Sequence, residues 1–235
     1  MKIGNWTKKL AAALVAGGVM LPLAADAAPL NSNLLVDPGF EDVNATTGAY
    51  GSLELNSWTD GTVVSNFTYA SGQYDLGGPL AGGGERYFTS NGGTDKTGPG
   101  EAAQDVDLSS GATAAAIASG TAGFDLSAFM TSYAGSDIAH IQVEFLDGGA
   151  SSLGTVDVAD ADNSTWTLNA VSGLIPTGSA TARVSLYGIA GSGGPDGYLD
   201  NVSFSVSEIP EPTSMVLAGL GLVGASFGFL RRRSE

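Results

Sequence analysis

Ile138-Ala139-His140-Ile141-Gln142-Val143-Glu144-Phe145-Leu146 is the stretch on which the fold turns, because from Ala139 to Phe145 every odd position is apolar and every even one polar. Successive side chains of a strand point to opposite faces. A repeat of two therefore describes a strand with one face on a core and the other turned outward. Comparable short runs recur in both directions, separated by clusters of Gly, Asp, Asn and Ser. They fall at 33–36, 63–69, 86–90, 102–108, 123–132, 154–158, 165–171, 182–189 and 198–206. Short runs divided by turn-forming residues are the pattern of an all-β chain, and ten of them suit two packed sheets. No strongly amphipathic helix is evident. The stretch from Ala112 to Ala118, set among glycines and serines, reads as a loop.

The chain has 235 residues and a net charge of -15. Six of its nine basic residues (Lys2, Lys8, Lys9, Arg231, Arg232, Arg233) lie at the two ends. Between Ala28 and Ile209 there are 21 acidic residues against only Arg86, Lys96 and Arg183, a net of -18. Phosphate backbones are bound by Lys/Arg clusters, so nucleic acid is excluded as a partner, whereas divalent cations and neutral sugars are compatible. With no cysteine, there is no disulfide framework, thiolate metal site or cysteine nucleophile.

Lys2, Lys8 and Lys9 precede an apolar run from Leu10 to Leu23 and then Ala25-Asp26-Ala27. This is the pattern of a secretory signal peptide over residues 1–27, removed by signal peptidase. The expected extracellular domain is 28–208. The last segment, 209–235, opens on Pro210-Glu211-Pro212 and continues with an apolar run from Met215 to Leu230, closed by Arg231, Arg232 and Arg233. A transmembrane helix over about 213–230 is expected, since a span needs roughly 20 residues, and the arginines should stay on the cytoplasmic side. Gly219-Leu220-Gly221-Leu222-Val223-Gly224 matches the GxGxxG string of dinucleotide-binding proteins, but no βαβ unit surrounds it and the chain ends too soon for the acidic partner.

Pro210-Glu211-Pro212, the glycine-rich span and Arg231 to Arg233 resemble the PEP-CTERM sorting signal of Gram-negative bacteria. The resemblance implies an exosortase as processing enzyme, a transient inner-membrane anchor, and delivery to the cell surface or the exopolysaccharide matrix of a biofilm.

A second resemblance lies at the borders of the middle domain. Asn33-Leu34-Leu35-Val36-Asp37-Pro38-Gly39-Phe40-Glu41 and Gly197-Tyr198-Leu199-Asp200-Asn201-Val202-Ser203-Phe204 resemble the first and last strands of jelly-roll carbohydrate-binding modules and other galactose-binding-like domains. The resemblance implies a jelly-roll β-sandwich whose terminal strands lie close together, with a structural calcium held by Glu41 and Asp200. The alternative, in which these carboxylates only accept bonds from turn backbone, stays open.

Catalytic chemistry finds little support. His140 is the single histidine and sits on the polar side of its alternating strand, so it is expected at the surface, without partners for a triad or a histidine-based zinc site. Asp157, Asp160 and Asp162 lack the spacing of a calcium loop and read as a solvated turn. Among the aromatics, Trp58 and Trp166 are expected between sheets, while Tyr74 and Tyr133 sit in loop-like settings. The expectation is a non-enzymatic, structural or adhesive surface protein. A calcium-dependent carbohydrate-binding module is the alternative, and a glycoside-processing enzyme a distant third.

Overall fold

The computed structural model describes residues 29–42, 55, 57–60, 65–68, 80–90, 102–132, 137–160, 165–189 and 197–209. The signal peptide, the sorting tail from Pro210 onward, Tyr69, Tyr74, Tyr133 and Asp162 lie outside the described residues. So does the expected transmembrane helix. Among the described residues no helix is long and apolar enough to cross a membrane.

The described chain is mostly β. Its strands are β1 (Thr59–Asp60), β2 (Ser65–Thr68), β3 (Arg86–Thr89), β4 (Ala102–Asp107), β5 (Ala122–Ser132), β6 (Ile138–Leu146), β7 (Ser152–Ala159), β8 (Thr167–Leu174), β9 (Thr181–Ile189) and β10 (Gly197–Glu208). They form two five-stranded antiparallel sheets, ordered β1-β4-β9-β6-β7 and β2-β3-β10-β5-β8. The alternating run that opened the sequence is β6, an interior strand of its sheet between β9 and β7. Its apolar side chains Ala139, Ile141, Val143 and Phe145 are buried. Against them, β5 and β10 contribute Phe124, Leu126, Val202, Phe204 and Val206. Phe124, Phe145 and Phe204 stitch the sheets together, with ring centroids 5.2 Å apart for Phe124–Phe145 and 6.5 Å for Phe145–Phe204. Offset aromatic contacts of this kind add roughly 0.5–1.5 kcal/mol to their area burial.

The run read as a loop is a helix, α1 (Gly111–Ser119). Alanine loses no side-chain entropy in a helix, and Ala112, Ala114, Ala115, Ala116 and Ala118 make the local preference strong enough despite the flanking glycines and serines. Thr113, Ala116 and Ile117 provide the buried anchor. Gly120 ends the helix in the left-handed region at φ 73°, with its N–H donated to Ile117 and that of Thr121 donated to Ala116. This is a Schellman closure.

The segment read as a strand over 33–36 is not part of either ladder. It runs beside β10, where Leu34 N–H bonds the Phe204 carbonyl at 2.8 Å and Asn31 N–H bonds Val206 at 2.7 Å. The Asn33 side chain takes the place of further backbone bonds. Its Nδ2 donates to the Val202 carbonyl, and its Oδ1 accepts from Phe204 and Leu35 N–H.

Candidate functional site

The opening and closing segments meet at an irregularity in β10, where the pairing with β5 shifts register between Asp200 and Ser203. Asn201 has φ 46° there, and Pro38 supplies the carbonyl that accepts Val202 N–H. The turn on the opposite side is tied by Asp37, whose carboxylate accepts the N–H groups of Glu41 and Asp42. Glu41 Oε1 accepts from Glu85 N–H at 2.8 Å and from Arg86 N–H at 3.0 Å. Asp200 is fully buried, and its Oδ1 accepts from Asn201 N–H at 2.6 Å. A Cβ added at Gly39 would stand 3.8 Å from Asp200 Oδ1 and 4.0 Å from Glu41 Cγ. Asp200 Oδ1 and Asn201 Oδ1 thus face Gly39, where Glu41 presents its Cγ, while Glu41 Oε1 is turned to the backbone of Glu85 and Arg86. These donors are all oxygen, as a hard cation requires. Among the described residues no three acidic or histidine side chains converge as a metal cluster. Glu41 already serves as an acceptor for turn backbone.

The outward face of β1-β4-β9-β6-β7 is built differently. Register places His140 opposite Tyr187, Gln142 opposite Ser185 and Glu144 opposite Arg183, with Asp157 opposite Gln142 on β7 and Asp105 opposite Arg183 on β4. His140 is not a surface residue: only 8% of it is exposed, and Tyr187 is 5% exposed. Their rings stack at 4.6 Å and 13°. Asp157 clasps both, accepting from His140 Nδ1 and from the Tyr187 hydroxyl, each at 2.8 Å. The acidic cluster expected as a solvated turn is therefore split, with Asp157 working on the sheet and Asp160 buried at 4% exposure. Burial, reinforced by Asp157, pushes the Tyr187 phenol well above its usual value.

Lower on the same face, Arg183 grips Asp105 through two parallel bonds of 2.8 Å, Nε to Oδ1 and Nη2 to Oδ2. Hydrogen bonding to this guanidinium holds the Asp105 carboxyl below its ordinary range. Asp105 is shared by two clefts, one of about 340 Å³ lined by Val36, Ser57 and Gln104, the other of about 350 Å³ lined by Asp107, Asp147 and Arg183. Gln104 forms a wall by exchanging two bonds with the Val36 backbone.

The other outward face carries aromatics, of which Tyr87 and Tyr198 are sealed. Tyr87 meets Trp166 and Tyr198 edge to face at 5.7 Å, and Tyr87 and Tyr198 are 2% and 0% exposed. Burial raises the Tyr87 phenol far above its ordinary value. Trp58 packs in the core against Phe40 as expected, whereas Trp166 is half-buried and joins this outer ladder rather than the space between the sheets.

Residues 208–233 match the PEP-CTERM protein-sorting motif. The motif covers Pro210, Glu211, Pro212, Arg231, Arg232 and Arg233 and implies exosortase-dependent export through a membrane-anchored intermediate. A sequence search of curated proteins finds no match. In structure the chain is similar to a Stig cyclase, Fisc, from Fischerella sp. TAU, solved with (3Z)-3-(1-methyl-2-pyrrolidinylidene)-3H-indole, at 14% identity and a TM-score of 0.51 over 77% of this chain and 100% of that one. TmCBM61, solved with β-1,4-galactotriose, aligns at 18% identity and TM-score 0.43 over 75% and 98%. The CBM22-1–GH10 modules of Clostridium thermocellum xylanase 10B, solved with xylohexaose, align at 13% identity and TM-score 0.41 over 62% of this chain. This chain spans 24% of that two-module protein. The likeness to the cyclase is one of fold alone.

Proposed function

We propose that this is a non-catalytic, adhesive component of the cell surface or exopolysaccharide matrix of a Gram-negative bacterium. On this reading an exosortase delivers it, and its jelly roll holds neutral or amino-bearing glycans on the outward face of β1-β4-β9-β6-β7. The observation that carries the reading is the pair of clefts joined at Asp105, where the Arg183–Asp105 fork presents fixed donors and acceptors about half exposed to solvent. Bidentate pairs are geometrically rigid, and sugar hydroxyls are satisfied by such pre-placed polar groups. The net charge of -18 between Ala28 and Ile209 repels anionic polymers and favours neutral or cationic ones. A glycan array probed with the exported protein, with and without calcium, tests this; silence across neutral and amino-bearing glycans rejects it.

A calcium ion between Glu41 and Asp200 belongs to the same proposal, since it would brace the junction of the opening segment with β10. Its support is the pair of side-chain oxygens, Asp200 Oδ1 and Asn201 Oδ1, that face Gly39 two residues before Glu41. A purely structural role is the second reading, favoured by the burial of Trp58, Tyr87, Tyr187 and Tyr198, each at most 5% exposed. The array separates the two.

A further inference from the structure

We propose that Ile209 is a fold-locked junction that sets the rate at which the sorting tail is processed. The inference rests on the exosortase reading and concerns how the sandwich limits it.

The ladder between β10 and β5 runs to its last pair, Glu208 opposite Ala122. The chain is then held for one residue more, because Ile209 N–H bonds the Thr121 carbonyl at 2.7 Å. The Ile209 side chain lies over Gly123, where an added Cβ would stand 2.8 Å from its Cδ1 and 3.1 Å from its Cγ1. Ile209 is 44% exposed, so more than half of it is covered. The sorting motif begins at residue 208. Glu208 and Ile209 therefore belong to the sheet and to the motif at once, and no linker separates the two.

Pro210 and Pro212 have no N–H to give a ladder, and Pro210 favours an extended Ile209. Five residues, 210–214, separate Ile209 from the apolar run that starts at Met215. They reach about 17 Å at full extension. An enzyme at the membrane that reads Pro210-Glu211-Pro212 needs extended chain on both sides of the bond it cuts. On the N-terminal side that chain is engaged with β5. Ile209 and Glu208 must peel away first, and terminal pairs of a ladder open by local fraying without unfolding the domain. In a hydrolytic cut, water is divided across the broken peptide bond, leaving a carboxylate on the mature chain and an amine on the released tail.

The test is a pulse–chase of the full chain in cells carrying an exosortase, with the mass of the mature C-terminus read by mass spectrometry. Inserting Gly-Ser-Gly-Ser between Ile209 and Pro210 supplies slack while leaving the Thr121 and Gly123 contacts intact. It should raise the processing rate roughly three- to tenfold, the factor for one backbone hydrogen bond that no longer has to break first. Ile209→Gly should act in the same direction. The same four residues inserted in the exposed turn between Gly148 and Gly149 should leave the rate within about twofold of the parent, as tolerated loop insertions do. An insertion at 209/210 that is processed at the parental rate overturns the proposal. A parent chain that is never processed overturns the exosortase reading, and the proposal with it.

Discussion

The Tyr187 hydroxyl and the Asp157 carboxylate meet at 2.8 Å, and this bond settles the proton arrangement on the outward face. A carboxylate only accepts, so the phenol donates to Oδ1 and the His140 Nδ1–H donates to Oδ2. The ring's other nitrogen, Nε2, is buried and has no partner among the described residues. Asp157→Asn would turn an acceptor into a donor facing one of these N–H or O–H groups. Stability should fall by about 1–3 kcal/mol, the cost of an unsatisfied buried donor, as read from urea denaturation. Tyr187→Phe should cost less, about 1 kcal/mol, because Asp157 keeps His140.

Two buried phenols give the protein an alkaline limit. Tyr87 and Tyr187 both have pKa values raised in the fold, by burial in each case and for Tyr187 also by Asp157. A group whose pKa is higher folded than unfolded contributes stability below its unfolded value, near pH 10, and loses it as pH rises beyond that. Urea midpoints measured from pH 8 to 11.5 should decline above about pH 10. Tyr87→Phe and Tyr187→Phe should each flatten the decline. On the acid side the sign reverses. Asp105 and Asp107 have lowered values, so their contribution is present above about pH 4 and lost below it. It should be small, because the Arg183–Asp105 pair is about half exposed, and such pairs contribute roughly 0–1 kcal/mol.

Gly120 should be intolerant of side chains. At φ 73° it closes α1, and Gly120→Ala should cost about 1 kcal/mol from the left-handed conformation. Thermal unfolding of the variant checks this. An unchanged melting temperature would mean that the closure of α1 does not contribute to global stability.

How far the sequence foretold the fold follows from the range of each interaction. The alternation in 138–146 marked β6 because burial on one face is written in neighbouring residues. α1 is hard to read because glycine and serine borders, which signal a loop, enclose the alanines that favour the helix. His140 was misplaced for a different reason. Facing away from the core is not facing water here, because the cover over His140 comes from Tyr187, 47 positions later, and from Asp157 on the hairpin partner. No spacing in a single sequence announces a cross-strand stack of that kind. Glu41 was singled out through its motif, yet its actual partners, the N–H groups of Glu85 and Arg86, are backbone groups and carry no residue signature. The Arg183–Asp105 fork was likewise silent, although Arg183 is one of only three basic residues between Ala28 and Ile209, a scarcity that marks it for attention.

Calcium provides a separate check on the junction. If the ion sits between Glu41 and Asp200, millimolar calcium should raise the melting temperature of the exported protein and a chelator should reverse the rise. Asp200→Asn should abolish the response while retaining an acceptor for Asn201 N–H. A parent protein with the same melting temperature in calcium and in chelator removes the metal from the account.

The central claim, that the outward face of β1-β4-β9-β6-β7 holds a glycan, is tested most directly by titration calorimetry of the exported protein with neutral, amino-bearing and anionic polysaccharides. The parent should be compared with the double variant Asp105→Ala, Arg183→Ala. The account predicts binding to a neutral or amino-bearing polymer and at least a roughly tenfold loss in the variant, equivalent to about 1.4 kcal/mol. Binding of equal strength in parent and variant, or binding confined to anionic polymers, would contradict it.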